Sequence, residues 1–128
     1  MKAKRLFSLY AVVSFTICVN FLVIPEFWIE LYGASPDPQP VFLYRLIAVL
    51  FGGMGVMAWA GRTAGRSPSR DAMVVGMAMV NGLATAVALS GAMAGVYNRF
   101  AWGTVVMFGL FTIGFTYIAK RRASGSRV

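Results

Sequence analysis

The sequence predicts an all-α fold, a bundle of four transmembrane helices with a short interfacial helix between the first and the second. Three observations lead there. The chain has 128 residues, of which 59% are hydrophobic and only 12% charged, and a soluble domain of this size is mostly surface, so it could not hide that much apolar area. The apolar residues gather into four runs, each close to the ~20 residues that cross ~30 Å of hydrocarbon at ~1.5 Å per residue. The net charge of +8 falls between those runs instead of forming one basic face, which sets nucleic acid aside as a partner and makes the lipid bilayer the natural one.

The first run, Leu6 to Ile24, follows Lys2, Lys4 and Arg5. That layout is shared with signal peptides, but the run is long for an h-region and no A-x-A site ends it, so it reads as a retained helix. Pro25 suits a first helical turn and Gly33 a C-terminal cap, bracketing a short helix, Pro-Glu-Phe-Trp-Ile-Glu-Leu-Tyr. Glu26 and Glu30 share a face of it, while Phe27, Trp28, Leu31 and Tyr32 suit the headgroup layer. Ser35-Pro36-Asp37-Pro38-Gln39-Pro40 is expected to be extended, because alternate prolines remove donors and favour polyproline-like geometry.

The remaining spans are Val41 to Ala60, Ala72 to Ala94 and Phe100 to Ala119, and residues 120–128 form a basic tail. The whole chain, 1–128, is read as one integral membrane domain. In hydrocarbon every span must be helical, since no water satisfies exposed backbone groups. Ten of the twelve basic residues fall on one side: Lys2, Lys4, Arg5, Arg62, Arg66, Arg70, Lys120, Arg121, Arg122 and Arg127. Arg45 and Arg99 lie toward the other side with Glu26, Glu30 and Asp37. The positive-inside rule therefore makes both termini cytoplasmic, in a cell (inner) membrane, and the even number of crossings agrees. Trp28, Tyr32, Tyr97 and Trp102 fit an outer aromatic belt, and Tyr10, Trp59 and Tyr117 an inner one.

Small residues suggest where helices pack. Ala78, Gly82, Ala86, Ser90 and Ala94 recur every fourth residue along the third span, and the second offers Ala48, Gly52, Gly53 and Gly55. These two faces are expected to meet, because close backbone approach is what holds helices together in lipid.

Polar residues within the spans carry the candidate binding site. Arg45 lies ~6 Å below the outer edge at ~1.5 Å per residue, and Asn81 lies near the midplane. In one reading Arg45 pairs with Glu26 or Glu30 while Asn20, Asn81 and Thr85 line a small polar pocket beneath. In the other Arg45 snorkels to the headgroups and Asn81 bonds a helix backbone. With no histidine in the chain, imidazole metal or haem ligation and His-based acid–base catalysis are excluded. The four acidic residues lie in loops or at helix ends, so there is no midmembrane carboxylate for proton coupling. Met73, Met77 and Met79 read as packing, not a Cu(I) site, and the single Cys18 as a core or lipid-facing residue. No enzyme activity, metal or cofactor is expected.

The order of these features resembles small, uncharacterised bacterial four-helix membrane proteins of the DoxX-like group. The resemblance is carried by the outer amphipathic segment with proline, Arg45-Leu-Ile-Ala-Val-Leu-Phe-Gly52-Gly53, Trp59, Arg62 and Asn81-Gly82. Some members of that group are associated with oxidoreductase or thiol-stress systems, which would place any redox chemistry in a partner. Two functions follow as expectations. The first is a non-catalytic accessory or structural subunit of a homo-oligomer or larger membrane complex. The second is a binder or carrier of a small amphiphile, a quinone or lipid, around Arg45 and Asn81.

Overall fold

The computed structural model describes residues 3–125, so Lys2, Arg127 and the end of the expected basic tail lie outside the described residues. Among the described residues there are five α-helices and no strand: α1 (Ala3–Val23), α2 (Pro25–Leu31), α3 (Pro38–Gly61), α4 (Pro68–Met93) and α5 (Ala101–Gly125). All but α2 are long and apolar enough to cross a membrane, as in a multi-pass membrane protein. The helices form two compact units, residues 1–63 and 64–128.

Proline sets the helix starts. Pro25, Pro38 and Pro68 each open a helix, where the missing N–H would have had no partner and the fixed φ suits the first turn. This corrects the expectation that residues 35–40 are extended. Pro38, Gln39 and Pro40 form the first turn of α3, because first-turn nitrogens make no intrahelical bond and both prolines fit there. Of that stretch only residues 35–37 stay non-helical, within a connection of residues 32–37. The third span likewise starts earlier than expected. Ser67 is its N-cap, its hydroxyl accepting from the Arg70 N–H at 3.2 Å. At the far end α5 runs past Ala119 into the basic segment, where Lys and Arg are good helix formers and favour the negative end of the dipole.

Two glycines end helices. Gly33 (φ 84°) and Gly95 (φ 67°) take left-handed conformations. Gly33 donates to Glu30 O and Ala34 to Ile29 O, and Gly95 and Val96 repeat the pattern on Ala92 and Gly91. Both are Schellman caps, which occupy carbonyls the helix leaves unpaired.

In the first unit α1 and α3 run antiparallel, with Phe21 beside Tyr44 (ring centroids 4.8 Å apart) and Cys18 beside Gly52. Leu6, Phe7, Tyr10, Ala11 and Ser14 form the buried stripe of α1 at helical spacing. Tyr10 directs its hydroxyl at the Met54 sulfur, 3.4 Å away. In the second unit α4 and α5 are also antiparallel, Asp71 meeting Arg122 at one end and Thr85 meeting Gly109 toward the other. Their buried residues are Val74, Met77 and Asn81 on α4 and Ala101, Phe111, Phe115 and Ile118 on α5. Outside these stripes the spans carry exposed Val, Leu, Ile and Phe side chains, the surface that acyl chains solvate.

Candidate functional site

The polar end of the first unit is built by α2. Ile29 and Pro25 are buried and anchor the short helix, leaving Glu26, Phe27 and Glu30 exposed. Trp28 lies between Phe21 and Phe27, with centroids 5.9 and 5.6 Å away. Beside this aromatic cluster Arg45 approaches Glu26 at 3.8 Å, both side chains about half exposed (52% and 50%). At that distance and exposure the pair is loose. Glu30 instead contributes its backbone carbonyl to the Gly33 cap. Asn20, one turn before the end of α1, donates to Thr16 O at 2.8 Å, and Thr16 donates to Val12 O at 2.9 Å.

Asn81 and Thr85 belong to the second unit. Asn81 is fully buried and its Nδ2 donates to Met77 O at 2.8 Å. Thr85 donates to Asn81 O at 2.7 Å and lies 3.4 Å from the Thr112 hydroxyl, which donates to Phe108 O. The three residues form a short polar seam between α4 and α5. The Asn81 Oδ1 is buried without a partner among the described residues, a local cost that the apolar neighbourhood does not relieve.

Some of the small residues are used for close packing inside each unit. Gly52 makes room for Cys18, whose sulfur would lie 3.0 Å from an added Cβ, and Gly55 makes room for the Phe15 ring at the same distance. A Cβ on Gly82 would touch the Thr112 methyl at 3.6 Å, whereas Gly53 has open space. Ala78 is half-buried and Ala86 exposed. Met77 is buried and Met79 exposed. Among the described residues no group of His, Cys, Asp or Glu could hold a metal ion.

Sequence reasoning missed the polar cluster at the Ser67 end of the second unit. Asp71, in the first turn of α4, pairs with Arg122, in the last turn of α5. Each charge complements the dipole of its own helix. Arg66 reaches the Arg122 carbonyl at 3.4 Å, and Arg70 is repelled by Arg122 and attracted by Asp71. An open groove of about 590 Å³ lies here, lined by Arg66, Ser67, Asp71 and Arg122 above Val74, Val75 and Ala119. Ser67-Pro68 followed by an acidic residue in the next turn was the available signal. It is masked because Arg66 and Arg70 also satisfy a topology rule.

No family model matches the chain, and no curated protein or solved structure matches it.

Proposed function

We propose that this multi-pass protein is a non-catalytic accessory subunit of a membrane assembly, with both termini on the cytoplasmic side of the cell membrane. The observation that carries the reading is where the intramembrane donors go. Thr16, Asn20, Asn81, Thr85 and Thr112 each bond a carbonyl of their own helix four residues back. Donors spent on their own helix are not offered to a substrate, whereas a catalytic or transport site requires polar groups that converge on one. Smooth helix surface remains available to partners, as at Gly53, Gly76 and Gly91, where an added Cβ would meet nothing within 4 Å.

A second reading, a binder of a small amphiphile such as a quinone or lipid, is favoured by Arg45. Its guanidinium is half exposed and only loosely held by Glu26, so it can meet an anionic or carbonyl headgroup while the neighbouring aromatic rings take apolar parts.

Native mass spectrometry of the protein extracted gently from its own membrane separates the two. A reproducible oligomer or heteromeric complex without small molecules supports the accessory subunit. A recurring bound quinone or lipid, lost in Arg45→Ala, supports the binder and overturns the first reading.

A further inference from the structure

We infer that the α2 end of the first unit binds a zwitterionic phospholipid that ends in a primary ammonium, such as phosphatidylethanolamine, with its phosphate on Arg45 and its ammonium on Glu26 and Glu30. The inference rests on the binder reading of Arg45 and names the ligand class. Charge is the first argument. From Asn20 to Arg45 the chain holds three acidic residues, Glu26, Glu30 and Asp37, and one basic residue, Arg45. Arg45 and Glu26 stand 3.8 Å apart with both side chains about half exposed, so a headgroup can reach either one. Glu30, also exposed, follows one turn later on the same face of α2. An anionic lipid would bring its phosphate to one guanidinium beside two carboxylates, and like charges at close range penalise it. A quinone is neutral and offers nothing to the glutamates. A zwitterion answers both signs, because phosphate oxygens match the guanidinium fork and a primary ammonium brings N–H donors to the carboxylates. The quaternary ammonium of a choline headgroup has no N–H and cannot make those bonds.

The surface that continues from Arg45 is the second argument. A free headgroup would need only the charges, but the Arg45 face of α3 runs on through Val49, Gly53 and Val56 at helical spacing. The two valines are each 60% exposed, and the glycine between them has open space where a Cβ would stand. They make a shallow apolar channel that begins at the charges. Eleven residues at ~1.5 Å per residue give ~16 Å. That is the depth of one leaflet, half of a ~30 Å hydrocarbon core. Paired charges joined to an apolar channel of leaflet length suit a phospholipid better than a soluble zwitterion.

The test uses the full chain in detergent, with native mass spectrometry counting bound phosphatidylethanolamine, phosphatidylglycerol or phosphatidylcholine of identical acyl chains. Phosphatidylethanolamine is expected to bind at least fivefold more tightly than either of the others. In E26Q/E30Q, which keeps Arg45 and removes both carboxylates, its binding is expected to fall at least fivefold while phosphatidylglycerol binding rises, a reversal that misfolding would not produce. A fall for both lipids in that variant overturns the role of the glutamates and with it the proposal. Phosphatidylglycerol or phosphatidylcholine held as tightly as phosphatidylethanolamine by the wild type overturns the proposal whether or not the variant folds, and leaves the binder reading standing. Wild-type protein that retains none of the three lipids and no added ubiquinone overturns the binder reading as well. Displacement of the lipid by free phosphoethanolamine at equal concentration overturns the lipid in favour of the soluble headgroup.

Discussion

At the scale of single residues, the space beside each glycine distinguishes otherwise similar positions. Gly52 and Gly53 are neighbours on α3, yet an added Cβ would lie 3.0 Å from the Cys18 sulfur at one and would meet nothing within 4 Å at the other. Close packing is the main attraction between helices in lipid, so lost contact there has no hydrophobic term to offset it. Gly52→Val is therefore expected to destabilise the α1–α3 pair by about 1–3 kcal/mol. Gly53→Val is expected to stay within about 0.5 kcal/mol. Reversible unfolding in mixed micelles, followed by helicity, measures both, and equal losses would mean that the Cys18 contact does not limit the approach. Gly55 is more forgiving, because the ring it meets belongs to Phe15, which is 36% exposed and has room to swing away.

At the scale of elements, the α4–α5 pair is fastened by charges that differ in their access to water. Asp71 is 49% exposed and Arg122 13% exposed, so the consequences of removing either partner are unequal. Asp71→Asn strands a largely buried cation beside Arg66 and Arg70, at an expected cost of about 1–3 kcal/mol. Arg122→Gln leaves a carboxylate that water and Arg70 still solvate, at an expected cost of about 1 kcal/mol or less. Unfolding of the two variants under one condition checks the order, and a larger loss in Arg122→Gln would refute this account. The same pair marks the limit of what the sequence discloses. The four spans, the short helix at Pro25 and its glycine cap were legible, because hydropathy and cap chemistry are local. The turn at Pro38–Pro40 was misjudged because proline disfavours helix interiors yet suits first turns, and the distinction depends on where the helix starts. Of the candidate site, the nearness of Arg45 to one of the α2 glutamates was legible from their common end of the unit. The Asp71–Arg122 contact joins residues 51 apart, and nothing local announces such a pairing.

At the scale of the whole molecule, orientation is decided by charge that no single helix holds. The connection after α3 carries Arg62 and Arg66, and α4 adds Arg70 within its first turn. Arg62 stacks over Trp59 at 3.5 Å, and Arg121 lies 5.6 Å from the Tyr117 ring. Each unit thus ends a long helix with an arginine on an aromatic ring, a pairing suited to the boundary between headgroups and hydrocarbon. The connection before α3 holds Asp37 and no basic residue. Basic residues in short connections resist translocation, and on the topology proposed above the Arg62 and Arg66 side is cytoplasmic and the Asp37 side exterior. Cys18 is the only cysteine, so Cys18→Ala supplies a background for single reporters. In intact cells a membrane-impermeant maleimide is expected to label Asp37→Cys and to leave Ala64→Cys unlabelled until the membrane is opened. Labelling of Ala64→Cys alone would invert the topology. It would also place the Asp71–Arg122 end of α4 and α5 on the exterior side.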